Sequence, residues 1–234
     1  IPHRENEGYG MNEKRIGELY KEGYEIILTC DNGIAAFNEV EYAKSLGMKV
    51  VVTDHHDIPF VELEDGGSEE KIPPADAIVN PKQKDCSYPF KNLCGAGIAY
   101  KFILCLCKEL GIDISRVEDL VEIAAIATVC DVVDLVNENR IIVKEGLKRL
   151  NSTKNLGLKS LIKANNLQDK ILNEYHLGFV IGPCINATGR LETADLALEL
   201  LMSDNEKASN ELAQRRDDQC KFRKSYRYNK RKWL

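Results

Sequence analysis

The sequence predicts an α/β fold: a parallel β-sheet flanked by helices, followed by a mainly helical segment. Three observations carry this. Two short runs of β-branched and aliphatic residues, Glu25 to Thr29 and Lys49 to Thr53, each stop abruptly at a polar cluster. A helical stretch, roughly Ala36 to Leu46, lies between them, with Val40, Ala43 and Leu46 on one face and Gly47 as its C-terminal stop. Strand, helix and strand at this spacing form a βαβ unit, so the strands are parallel and the crossover right-handed.

Taken in order, Ile1 to Met11 is a polar lead-in, in which spacing gives His3 and Arg4 no role. Asn12 is a good N-cap for a helix through Tyr20, with Gly23 beyond its end. The first strand is expected to be buried and stops at Cys30-Asp31-Asn32-Gly33. The second, Val50-Val51-Val52-Thr53, suits a strand covered on both faces and stops at Asp54-His55-His56-Asp57. Polar groups that follow parallel strands sit at the C-terminal edge of the sheet, where open α/β folds keep their sites. Asp31 and Asp54 are therefore expected on one edge. Two of the chain's four histidines fall here, and imidazole plus carboxylate is a ligand set for Mn²⁺, Fe²⁺ or Zn²⁺.

Glu62 to Glu70, acidic and glycine-containing, is expected to be a solvated loop. Ala77-Ile78-Val79 forms a short strand ending at Asn80-Pro81, and Pro81 to Phe90 should be irregular. Gly95-Ala96-Gly97 opens a helix to about Leu110; glycines there either admit an anionic group to the exposed N–H donors or serve close packing. Ser115 is expected to cap an apolar helix from Val117 to about Val129, which ends at Cys130-Asp131. The C-terminal end of a helix dipole is a poor place for an anion without a nearby cation, which makes Asp131 a candidate ligand. Helices follow over Asn137 to Leu150 and Gly157 to Ala164. Gly178 to Leu191, holding Asn186 and Arg190, reads as irregular and glycine-rich, and an arginine on such a loop can fork onto a phosphate. Thr193 should cap a helix through Met202, and Ser203-x-x-Glu206 is a capping box for the last long helix.

Composition narrows the class. With 44% hydrophobic and 29% charged residues among 234, the chain is an ordinary globular sequence, and its cysteine usage is that expected in a reducing cytoplasm. No apolar run is long enough to span a bilayer, so no membrane role is expected. A net charge of −5 does not advertise a nucleic-acid binder, although binding needs only a local basic groove. The eight cysteines contain no Cys-x-x-Cys pair, and most are expected to be small buried hydrophobes. From Lys221 to Leu234 the composition turns basic, and no function is assigned to that tail.

The blocks LTCDNGI, VVTDHHDIP, AIVNPKQKDCSYPFKNLCGAGIAYK, ATVCDVVDLVNENRIIVKEGL and LGFVIGPCINATGRL, in this order, resemble the DHH phosphoesterase superfamily. Within it they are similar to the RecJ family of single-strand-specific DNA exonucleases. The resemblance implies metal-dependent phosphodiester hydrolysis on single-stranded DNA with 5′-3′ polarity, in DNA repair and recombination. It implies two ions, Mn²⁺ or Mg²⁺, with Asp31, His55 and Asp131 as ligands. It places His56 at the scissile phosphate and Asp54 beside it, as a ligand or as the group that orients imidazole. Arg190, Asn186, Gly95 and Gly97 are the expected phosphate-binding residues, and single-strand-binding or helicase proteins are possible partners by the same resemblance. The family's earlier aspartate-bearing strand lies upstream of residue 1, so weak activity is expected of this chain alone. Asp134 stands where the family usually has proline. Alternatives are a DHH phosphoesterase for oligonucleotides or cyclic dinucleotides, or a non-catalytic DHH-fold binding protein. The expected organisation is a metal-binding core over 1–135, a helical continuation over 136–220 and the tail over 221–234.

Overall fold

The computed structural model describes residues 10–64, 66–186 and 194–216. The chain enters through α1 (Glu13–Lys21), where the Asn12 side chain accepts the Arg15 N–H at 2.8 Å, the cap expected of it. Gly23, at φ 89°, reverses the chain into β1 (Ile26–Leu28). From there α2 (Phe37–Ser45) crosses over to β2 (Lys49–Thr53). A hairpin of β3 (Phe60–Glu62) and β4 (Ser68–Glu70) follows, then β5 (Ala77–Val79). The main sheet has the order β1-β2-β5 and is parallel throughout, with Leu28 opposite Val51 and Thr53 opposite Val79. Ile16, Val40, Ala43, Met48, Val50 and Val52 form its core.

Two expectations change here. The acidic 62–70 stretch is half of an antiparallel hairpin rather than a loop, since Phe60 to Glu62 pairs with Ser68 to Glu70 around Gly66 at φ 81°. Only β2 is buried as a central strand. β1 lies at the sheet edge with Ile26 64% and Leu28 54% exposed, because among the described residues no strand pairs on its outer side. An apolar run shows that a strand suits burial, but its neighbours decide whether it is covered.

The helical part is built around α4. After α3 (Gly95–Glu109), α4 (Val121–Cys130) packs Val121, Ala124 and Ala125 against Leu93, Ile98 and Ile142. On its other side Ile126 joins a second core with Leu158, Leu161, Leu177, Ile181 and Leu200. α5 (Asn137–Leu150) approaches α4 closely because Gly146 lies against Ala125 and the Val121 carbonyl, leaving no room for a side chain. Then come α6 (Leu156–Ala164), α7 (Glu174–His176), a π-turn over Leu177–Ile181, α8 (Gly182–Asn186), α9 (Asp195–Met202) and a helix over residues 206–216.

The capping expectations fare unevenly. Ser115 does not start α4; it sits in a 3₁₀ turn capped by Asp113, which accepts both the Ser115 N–H and its hydroxyl. Ser203 is not the cap of the 206–216 helix either, since Asn205 accepts the Ala208 N–H at 3.0 Å. Residues 178–186, expected to be irregular, are helical: the buried Leu177, Ile181 and Cys184 give them an apolar face that outweighs their glycines and Pro183. Thr193 lies outside the described residues. Of the described cysteines, Cys94, Cys107 and Cys184 are buried, while Cys30, Cys105 and Cys130 are exposed, fewer buried than expected.

Candidate metal centre

Three parallel strands deliver three polar residues to one edge. Beyond β1 the Asp31 N–H bonds the Thr53 carbonyl at 3.0 Å, and beyond β2 the Asp54 N–H bonds the Val79 carbonyl at 3.0 Å. Asn80 follows β5 and is buried. The first two side chains then part company, because their backbones differ. Asp31 takes the left-handed conformation, φ 62°, which is uncommon for a residue with a side chain and turns it out of the sheet. Asp54 stays inside, 1% exposed.

Asp31, His55 and Asp131 converge. His55 Nε2 lies 3.0 Å from Asp31 Oδ1 and 3.6 Å from Asp131 Oδ2. Asp131 arrives from the helical part as the C-cap of α4, the position read from the sequence. One ligand atom each from Asp31, His55 and His56 also falls within 4.8 Å of the others. The His55 proton affinity is raised, foremost by its bond to Asp31, against burial, with the charges of Asp31, Asp131 and Asp54 adding to the rise. A cation is thus favoured at this point, whether a proton or a metal.

Asp54 is the bracket that holds the histidines. Its Oδ2 accepts the Ile34 N–H at 3.0 Å, and its Oδ1 accepts the N–H groups of His55 at 2.8 Å and His56 at 3.2 Å. His56 Nδ1 approaches the same Oδ1 at 2.7 Å. Burial would raise the Asp54 pKa, but these hydrogen bonds outweigh it and hold the carboxyl below its ordinary value. An ionised Asp54 favours the Nδ1–H tautomer of His56 and leaves Nε2 unengaged by Asp54, on a side chain that is 60% exposed. Both Asp54 oxygens are therefore spent on orientation.

Gly95 explains how Asp31 fits. A β-carbon there would stand 2.5 Å from Asp31 Cβ and overlap its carboxylate, so the first turn of α3 and Asp31 touch only because residue 95 has no side chain. Gly97, two residues on, is packed ordinarily by Cys94, Leu93 and Ile142, and its N–H donates to Cys94 Sγ at 3.4 Å. Asn186 is exposed at the end of α8. Arg190 lies outside the described residues.

Asn80 is a supporting residue that the sequence reading left without a role. Its Nδ2 donates to the His56 carbonyl at 2.9 Å, and its Oδ1 accepts the Lys82 N–H at 2.9 Å, so it props the histidine loop from the third strand. The available signal was positional: Asn80 ends β5 as Asp31 and Asp54 end β1 and β2.

The residues fit a divalent ion, with hard carboxylate oxygens and an imidazole nitrogen converging on one point. A parallel sheet carrying such a cluster on its C-terminal edge is the frame of a metal-binding α/β domain. Residues 1–128 match the family model described as "DHH family, N-terminal domain", and the chain belongs to that family. It is 44% identical over 213 residues to the single-stranded-DNA-specific exonuclease RecJ of Bacillus subtilis, covering 91% of this chain and 25% of that protein. Two crystal structures with manganese are similar to it. An exonuclease RecJ superposes with TM-score 0.83 at 31% identity, covering 100% of this chain and 56% of that one. RecJ from Thermus thermophilus gives 0.78 at 28% identity, covering 96% and 32%. The chain thus spans about a quarter of the Bacillus relative and about half or less of the solved chains.

Proposed function

We propose that this chain carries the metal-binding catalytic core of a single-strand-specific DNA exonuclease of 5′-3′ polarity, acting in DNA repair and recombination. The observation that carries the reading is the convergence of Asp31 Oδ1 and Asp131 Oδ2 on His55 Nε2. Asp31, His55 and Asp131 would hold divalent ions, Mn²⁺ or Mg²⁺, and the histidine donor favours manganese. Such ions neutralise phosphoryl charge and activate water when bound. The chain's own residues do the rest. His56, held through Nδ1–H by Asp54, would donate from Nε2–H to a phosphoryl oxygen above the sheet edge when it is the imidazolium. Asp54 acts through both histidines and touches no substrate. Gly95 supports the reading by allowing Asp31 its place beside α3. Arg190 and Asn186 are proposed phosphate contacts on sequence grounds. Single-strand-binding or helicase proteins as partners, and a cytoplasmic location, belong to the same proposal.

The test is digestion of 5′- and 3′-end-labelled single-stranded and duplex DNA with Mn²⁺ by the complete protein. Stepwise loss from the 5′ end of the single strand, abolished in His55→Ala, is expected. Cleavage that persists in His55→Ala overturns the reading.

A further inference from the structure

The helical run from Glu174 to Asn186 has two faces of unlike character. Leu177 and Ile181 are buried in the helical core, and Gly178 and Gly182 lie directly against the end of α4. A β-carbon on Gly178 would stand 3.3 Å from Val129 Cγ1, and one on Gly182 would overlap Cys130 Sγ. Cys130 precedes Asp131, so this run is seated on the helix end that carries a proposed metal ligand. The face turned away bears Tyr175 and Phe179, 59% and 65% exposed. Their rings are stacked on each other, centroids 5.0 Å apart at 25° between planes. The π-turn over Leu177–Ile181 includes Phe179, and such turns often mark functional positions.

Two large apolar rings held in register and left mostly in water gain little from their own contact. Each offers a flat face. Val132, 87% exposed at φ 60°, adds apolar surface directly after Asp131. A β-branched residue in that conformation is strained, and its exposed side chain recovers little by packing.

We infer that Tyr175 and Phe179 form a stacking platform for unpaired nucleobases of the strand whose phosphates reach the metal centre. The inference rests on the single-strand reading proposed above and adds a reason for strand selectivity. A base in a duplex has both faces covered by its neighbours, whereas an unpaired base can lay one face on a ring. Base–aromatic stacking is sequence-tolerant, as an exonuclease that proceeds along any strand requires. The occupant fits by continuity, because the run that bears the rings is seated through Gly178 and Gly182 on Val129 and Cys130, the residues just before Asp131.

The test is fluorescence anisotropy in EDTA, comparing an oligothymidylate with an abasic strand of equal length, which keeps the phosphates and removes the bases. The wild-type chain should bind the oligothymidylate roughly tenfold more tightly than the abasic strand. Phe179→Ala and Tyr175→Ala should each remove most of that preference, leave abasic binding unchanged and keep the melting temperature. Tyr175→Phe should retain the preference. Equal binding of the two strands by wild type, or an undiminished preference in both alanine variants, overturns the platform. So does a drop of several degrees in the melting temperature of the alanine variants, which would make the rings packing elements. Wild type that binds neither strand overturns the single-strand reading itself.

Discussion

Gly95→Ala should cripple the metal centre, whereas Gly97→Ala, two residues along the same helix, should leave it intact. At Gly95 the added β-carbon would stand 2.5 Å from Asp31 Cβ, about 1 Å inside an ordinary carbon contact of ~3.5 Å. A rotamer change does not relieve this overlap, because Asp31 Cβ is fixed by the backbone. That backbone is itself held, at φ 62° and by the bond from the Asp31 N–H to the Thr53 carbonyl. Either α3 or the β1 exit must therefore move by about an ångström. Overpacking of this kind costs about 1–3 kcal/mol, and a ligand displaced so far should weaken Mn²⁺ binding roughly 10–100-fold. At Gly97 the β-carbon would meet its nearest neighbours at 3.6–3.8 Å. Alanine there should be neutral, or stabilise the helix by about 0.5–1 kcal/mol. Calorimetric titration with Mn²⁺ and metal-free thermal melts of both variants decide it. If they behave alike, or Gly95→Ala binds Mn²⁺ as wild type does, Asp31 is not positioned by this contact and the reasoning fails.

Asp54→Asn should destabilise the fold by about 3 kcal/mol in urea titrations, since a buried carboxylate that accepts several N–H groups is replaced by a group that must donate. The pH dependence has a definite sign. The folded pKa of Asp54 lies below its unfolded value, so its stabilisation is fully present above about pH 4 and is lost as pH falls through the folded value. The melting-temperature gap between wild type and Asp54→Asn should therefore narrow on acidification, and a gap that widens would refute the assignment. The His55 proton affinity is raised, so Mn²⁺ competes with a proton for the same nitrogen. Its apparent affinity should begin to weaken above the ordinary imidazole value of about 6.5 as pH falls, a trend that calorimetry across pH reads directly. Asn80→Ala should remove the prop under the His56 carbonyl at a cost of about 1–2 kcal/mol. Its effect on Mn²⁺ affinity should exceed that of Gln83→Ala, which removes bonds to the Ile78 and Asn80 carbonyls rather than to the histidine loop, and the same titration tests both.

The βαβ unit was legible because a period change from helix to strand is a property of the local chain. The place of Asp31 and Asp54 on one edge then followed from parallel topology alone, and Asp131 from the misfit of an anion at a helix C-terminus. The division of labour between Asp31 and Asp54 was not legible. It depends on a positive φ at residue 31 and on the Ile34 N–H reaching back to residue 54, neither of which residue type reveals. By sequence Gly95 suits either an anion cradle or close packing, and the anion beside it is the chain's own Asp31 carboxylate. The 62–70 hairpin escaped notice because acidic residues are poor strand formers and cross-strand pairing overrode them. The helical stretch 178–186 escaped for a related reason: its two glycines suggest a loop, whereas both serve close packing against α4.

Asp31, His55 and Asp131 should share one divalent ion. Crystals of the protein grown with Mn²⁺, measured at a wavelength where manganese scatters anomalously, test it most directly. An anomalous peak is expected within coordination distance of Asp31 Oδ1, His55 Nε2 and Asp131 Oδ2, with Asp54 still bonded to the Ile34 N–H and absent from the ligand set. A peak bound by Asp54, or a manganese ion seated elsewhere with His55 Nε2 left on Asp31, would contradict it.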